Sequence, residues 1–72
     1  MKLFILIVLH GMIAGVIGPL PYDDSECTIR VAKKLYDIQN DPVKKQIAED
    51  QKLVLTCHYS DERPQLGERY GK

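Results

Sequence analysis

The sequence predicts an all-α fold: a small antiparallel helical hairpin that is closed by one disulfide and followed by a flexible polar tail. Three observations support this prediction. An amphipathic segment covers about residues 25–39, a proline separates it from a second segment at about 42–58, and one cysteine lies near the far end of each segment. A chain of 72 residues is too short for a two-domain enzyme. We therefore expect one small structural unit.

Residues 1–18 have the composition of a secretory signal peptide. Lys2 gives a positive start, residues 3–9 are continuously apolar, and small residues follow them. A membrane anchor is one alternative, but a spanning helix needs about 20 apolar residues and the apolar stretch here is shorter. A cytosolic apolar arm is the other alternative. The signal-peptide interpretation predicts a secreted, extracellular product.

Cleavage of the signal is expected after Gly18 or, because Pro19 disfavours that bond, after Gly15. The mature peptide, residues 19–72, loses one lysine and then carries nine basic and ten acidic residues. A nucleic-acid-binding protein would show a clustered basic surplus, and a membrane-disrupting peptide would show a cationic face. Neither surplus is present, so we expect no nucleic-acid partner and no stable membrane insertion.

Cys27 and Cys57 are the two cysteines of the chain, and an oxidising compartment favours their pairing. A bond that closes a ring of about thirty residues stabilises the fold by roughly 3–4 kcal/mol. The alternative is two intermolecular bonds, which would give a covalent homodimer. A zinc site is not expected, because Cys57 and His58 are adjacent and too few other ligands are available.

The first helix is predicted at about residues 25–39, with Asp24 or Ser25 as its N-cap. Neither glycine nor proline interrupts the segment from residue 26 to 38. Its main apolar residues recur at helical spacing and form one stripe. These residues are Cys27, Val31, Leu35 and Ile38.

The second helix is predicted at about residues 42–58. Asn40 suits the end of the first helix, Asp41 suits an N-cap, and Pro42 fits the first helical position. Residues 52–59 are rich in residues that favour strands, so a strand there is the alternative. The helix is favoured because no partner strand is evident upstream.

The spacing of the cysteines also favours a hairpin. Cys27 lies fifteen residues before Pro42, and Cys57 lies fifteen residues after it. Positions at equal distance from the turn lie side by side in an antiparallel hairpin. The two sulfur atoms would therefore meet at its open end.

A second apolar stripe supplies a candidate surface for a partner protein. Two helices cannot bury both of their apolar faces against each other, so this stripe either widens the core or contacts a partner or a second copy of the chain. We expect aromatic and aliphatic anchors with lysines that orient the partner. The candidate residues are Ile29, Tyr36, Leu55, Lys33 and Lys44.

Residues 60–72 are polar, and their composition predicts a flexible tail. The chain ends in Tyr70-Gly71-Lys72, which is typical of an amidation signal. In that reaction the lysine is removed and Gly71 supplies the nitrogen of a Tyr70 amide. An ordinary polar tail is the alternative.

The sequence predicts neither an enzyme nor a cofactor or metal site. His58 is the one histidine after residue 18, and the acidic residues Glu49 and Asp50 are adjacent, so they lie on different helix faces. Residues 19–66 contain no glycine, which excludes a glycine-rich phosphate-binding loop.

In its layout the chain resembles the short exported peptides of invertebrate venoms, neurosecretory tissue and reproductive glands. The resemblance covers the whole chain by the order of its features: a signal, helices with a cysteine bridge, and an amidation signal. The signal, the disulfide, the missing catalytic apparatus and the second apolar stripe favour a secreted peptide that binds an extracellular receptor or ion channel. The final Gly71-Lys72 favours a venom component among these peptides. The alternatives are a peptide hormone or seminal-fluid factor, a membrane-active host-defence peptide, and a disulfide-linked structural dimer.

Overall fold

The structure, a computed structural model, describes residues 1–70 and has an α+β fold. Its elements are β1 (Lys2–Leu9), β2 (Met12–Ile17), α1 (Asp24–Gln39), α2 (Pro42–Gln51) and β3 (Val54–Ser60). The three strands form one antiparallel sheet in the order β2-β1-β3. The predicted all-α helical hairpin is therefore wrong, because three segments of the chain form strands.

Strand β1 is the centre of the sheet and pairs with both other strands. Successive side chains of a strand point to opposite faces, and both faces of β1 are covered: Leu3, Phe4, Leu6 and Val8 are each at most 3% exposed. A strand buried on both faces has a continuous apolar sequence instead of an alternating one. The apolar run that suggests a signal peptide therefore forms the core strand of this fold.

A two-residue turn, His10-Gly11, joins β1 to β2. The φ angles of these residues are +53° and +78°. Positive φ at both positions defines a type I′ turn, whose twist matches that of an antiparallel pair. Gly11 adopts this conformation without a steric cost because it has no Cβ.

Helix α1 covers nearly the predicted segment, but its N-cap is Asp23 and not Asp24 or Ser25. The Asp23 carboxylate accepts a hydrogen bond from the backbone N–H of Glu26 at 3.1 Å. Asn40 is the C-cap, as the sequence suggests.

Helix α2 begins as predicted, with Asp41 as N-cap and Pro42 in the first turn. The Asp41 carboxylate accepts two backbone N–H bonds from that turn, at 3.0 and 3.2 Å. The predicted extension of this helix to residue 58 is wrong. Lys52 takes a left-handed conformation (φ +54°) that ends the helix, and the chain then pairs with β1 as strand β3. Residues 2–8 supply the upstream partner strand that the sequence analysis does not identify.

The predicted disulfide between Cys27 and Cys57 is confirmed, with a Cα–Cα distance of 6.3 Å. It joins the first turn of α1 to β3 and does not join two helices. Between Pro42 and Cys57 the chain passes through helix α2 and then strand β3. The equal spacing of the two cysteines from Pro42 therefore does not indicate two helices of equal length. Cys27 is fully buried and packs with Leu3 and Ile5 of β1.

Residues 67–70 bond to residues 11–13 at the outer edge of β2, so the described part of the segment after β3 does not form the predicted flexible tail. The N–H of Ile13 donates to the carbonyl of Glu68 at 2.8 Å, and the N–H of Tyr70 donates to the carbonyl of Gly11 at 2.9 Å. The Tyr70 side chain packs on the sheet face opposite the helices. Its neighbours there form the cluster Phe4, Leu6, Val8 and Ile13.

Candidate binding surfaces

Helix α1 has one side packed against the sheet and one side in solvent. Two residues of the first apolar stripe, Cys27 and Val31, pack in the cluster that contains Leu3 and Ile5 of β1. On the opposite side Ile29 and Tyr36 are 66% and 68% exposed. We call this opposite side the outer strip; it consists of Ile29, Ala32, Lys33 and Tyr36, all exposed.

The structure does not bring all predicted partner-binding residues together. Ile29, Tyr36 and Lys33 share the outer strip. Leu55 pairs with Ile7 in the sheet and faces the inner side of α1. Lys44 lies on α2, at the border of a separate cavity. Whether these residues bind a partner stays a prediction.

A groove of about 410 Å³ lies between α1 and the sheet. Its walls are apolar or aromatic except for two cations, Arg30 and Lys34, and no acidic residue lines it. A second cavity of about 310 Å³ adjoins it beside α2 and shares Lys34, Ile38 and Leu53. We call the larger cavity the inner groove.

The two cations of the inner groove differ in their contacts. Arg30 forms an ion pair with Glu26 at 3.2 Å, and its guanidinium lies 4.5 Å from the centre of the Tyr22 ring. Lys34 is exposed and forms no ion pair within residues 1–70. Lys34 is therefore the cation that remains available to an anion at this groove.

The other polar residues singled out in the sequence do not gather at the groove. His58 pairs with Phe4 on the opposite face of the sheet, where its ring lies 6.5 Å from the Tyr70 ring, nearly perpendicular to it. Asp50 accepts a hydrogen bond from the Gln46 side chain at 3.0 Å. Within residues 1–70, no group of three or more His, Cys, Asp or Glu residues is placed to hold a metal ion.

The amidation prediction concerns Gly71 and Lys72, which lie outside the described residues. Tyr70 is described, and it is half-buried against the sheet. Neither helix of the described chain is long and apolar enough to cross a bilayer.

The inner groove is not evident from the sequence when residues 1–18 are interpreted as an export signal. Ile5, Ile7 and Ile17 from that segment line the groove. Two apolar runs separated by His10-Gly11 are a recognisable hairpin pattern, and this signal could have revealed the strands.

The described chain thus offers an exposed strip on one side of α1 and an apolar groove on the other. In comparisons with known proteins, no protein-family model, no curated protein and no solved structure matches the chain.

Proposed function

We propose that this chain is a secreted, non-enzymatic peptide that binds an extracellular receptor or ion channel, as venom toxins do, through the outer strip of α1. The observation that carries the proposal is the exposure of two large apolar side chains, Ile29 and Tyr36, on a helix whose other side is packed. Apolar side chains grouped on one exposed face are typical of protein-binding surfaces.

The spacing within the strip suits recognition by a helix face. Ile29, Lys33 and Tyr36 stand at positions i, i+4 and i+7, which is the pattern of anchors that an amphipathic helix presents to a groove. Tyrosine is enriched among the residues that dominate binding energy at interfaces. Lys33 adds a positive charge that would orient an acidic partner.

The disulfide supports an extracellular site of action, because such bonds persist in oxidising compartments. Residues 1–18 supply the proposed export signal. Sequencing the N-terminus of the exported chain tests this part of the proposal. A chain that starts at Val16 or Pro19 supports cleavage, and an exported chain that starts at Met1 contradicts it.

The test of the binding surface uses the double variant Ile29→Ala with Tyr36→Ala. The fluorescently labelled, oxidised chain is added to nerve and muscle membranes, and binding that unlabelled chain displaces is measured. We expect the double variant to bind at least about tenfold more weakly, since interface aromatic residues each contribute about 2 kcal/mol.

The matched control removes two equally exposed apolar side chains elsewhere, by Val43→Ala with Leu66→Ala. We expect this control to bind like the original chain. Circular dichroism checks that both variants keep their helices. Undiminished binding of the Ile29 and Tyr36 variant, with its fold intact, would show that the outer strip is the wrong surface.

A further inference from the structure

We propose that the inner groove binds a single-chain amphiphile with an anionic head group, such as a long-chain carboxylate. The hydrocarbon chain lies on the sheet and the head group lies at Lys34. This site is separate from the outer strip, and it belongs to the chain that retains residues 1–18.

The floor of the groove fits a hydrocarbon chain. All three strands contribute aliphatic side chains to it: Ile5 and Ile7 from β1, Ile17 from β2 and Leu55 from β3. Ile17 is 48% exposed, so apolar surface there is in contact with water. Burying such surface against a hydrocarbon chain is favourable, in proportion to the area removed from water.

A glycine of β2 leaves room for the side chain of Ile7, which is part of this floor. Gly15 pairs with Ile7 in the sheet, and a Cβ atom on Gly15 would lie only 3.0 Å from the Cδ1 atom of Ile7. Strand β2 therefore places no side chain beside Ile7. The volume of the inner groove, about 410 Å³, falls in the range of about 300–1,000 Å³ that is usual for small-molecule sites.

The positive charges of the inner groove favour an anionic ligand. Arg30 and Lys34 are the charged residues of the inner groove, and both are positive. Arg30 is already paired with Glu26, whereas Lys34 forms no ion pair in the described chain. The ammonium of Lys34 is a compact charge on a flexible stem, so it can follow a head group at the mouth of the groove. An amphiphile with a cationic head would meet the like charge of Lys34 there.

The experiment uses the full, oxidised chain and titrates it with dodecanoate below its micelle concentration, by calorimetry and by amide chemical shifts. Dodecyltrimethylammonium carries the same hydrocarbon chain with the opposite charge, and acetate carries the head group alone. We expect dodecanoate to bind at least about tenfold more tightly than either. The largest shift changes should fall at Ile7, Lys34 and Leu55.

Two lysine variants distinguish a specific effect of Lys34 on binding from a general effect of positive charge. Lys34→Gln should weaken dodecanoate binding by about threefold, the effect of one exposed ion pair. Lys33→Gln removes the same charge one residue away, on the outer strip, and should leave the affinity unchanged. Both side chains are exposed, so neither change threatens the fold. Leu55→Trp should block the groove and abolish binding.

Three results would overturn the proposal. The first is equal affinity for the anionic and cationic amphiphiles. The second is equal weakening by Lys34→Gln and Lys33→Gln. The third is a concentration-dependent dimer that does not bind dodecanoate, because a second copy of the chain would then cover the groove.

Discussion

Cys27 combines two stabilising roles at one position. Its side chain is fully buried against Leu3 and Ile5, and its sulfur is bonded to Cys57 on β3. The bond restricts the unfolded chain, and the buried side chain adds apolar contact in the folded one. A small chain with a limited core depends strongly on such a link.

We predict that replacing both cysteines by alanine lowers the free energy of unfolding by about 3–4 kcal/mol, the loop-entropy value for a separation of 30 residues. Urea unfolding followed by circular dichroism measures the change. The original chain with its disulfide reduced serves as the control and should lose a similar amount. A midpoint that does not move after either change would contradict the prediction.

Features that depend on a few neighbouring residues, such as helix caps, could be predicted from the sequence. Asp41 and Pro42 mark the start of α2 because a capping carboxylate and a proline at the first turn are local chemistry. The two cysteines leave one intramolecular pairing. The predicted cap of α1 is wrong because Asp23, Asp24 and Ser25 all carry an oxygen that can accept the bond, and side-chain chemistry alone does not choose among them.

At the scale of elements, the strands could not be assigned from local pattern. Residues 3–9 fit both the apolar part of a signal peptide and a central strand covered on both faces. If residues 3–9 are interpreted as an export signal, residues 54–60 have no strand to pair with, and their sequence is then interpreted as the end of a helix. The pairing of Lys2 with Ser60 joins distant parts of the chain, and no periodicity within either segment reveals it.

The tail is held to the sheet by one arginine in addition to its backbone. The Arg63 guanidinium donates to the carbonyls of Gly18 and Val16, at 2.6 and 2.8 Å. Gly18 adopts φ +135°, and a Cβ there would lie 2.9 Å from the carbonyl oxygen of Leu3. The end of β2 thus has a defined shape to which Arg63 is bonded.

We predict that Arg63→Met loosens the tail without unfolding the sheet. Losing hydrogen bonds from an exposed cation should cost about 1 kcal/mol, so the amides of Ile13 and Tyr70, which bond across this edge, should exchange about fivefold faster. Hydrogen exchange followed by NMR measures this. Arg69→Met is the control, because the Arg69 side chain makes no hydrogen bond or ion pair within residues 1–70. Equal acceleration in both variants would show that Arg63 has no special role.

For the whole molecule, the core lies mainly in the first two strands. Among the described residues the buried apolar side chains other than Cys27 all belong to β1 and β2. They are Leu3, Phe4, Ile5, Leu6, Val8 and Ile13. Cleavage of the proposed signal would therefore remove the central strand, while the outer strip of α1 and the disulfide would remain in the chain.

We predict that the oxidised chain 19–72 lacks the sheet and does not unfold cooperatively, because too little apolar surface remains to offset conformational entropy. Circular dichroism and amide shift dispersion compare it with the full chain. A chain shortened at the other end, 1–60, is the control and should keep its strands. Cooperative unfolding of chain 19–72 would show that a different core forms after cleavage. Binding measurements on chain 19–72 would separate the two proposals, since the inner groove is lined by β1 residues whereas the residues of the outer strip all belong to α1.

The two edge strands of the sheet, β2 and β3, differ in how far they are covered, and this difference affects how molecules of this protein associate at high concentration. Residues 67–70 cover the first part of the outer edge of β2, whereas within the described chain the outer edge of β3 has no neighbouring segment. Its sequence, VLTCHYS, contains no lysine, proline or acidic residue to discourage pairing. Two molecules that join there by a two-fold axis would leave only the partly covered edges of β2 outside, which disfavours further growth beyond that pair. Residues 67–70 would in this way hinder the growth of fibrils by covering part of the β2 edge.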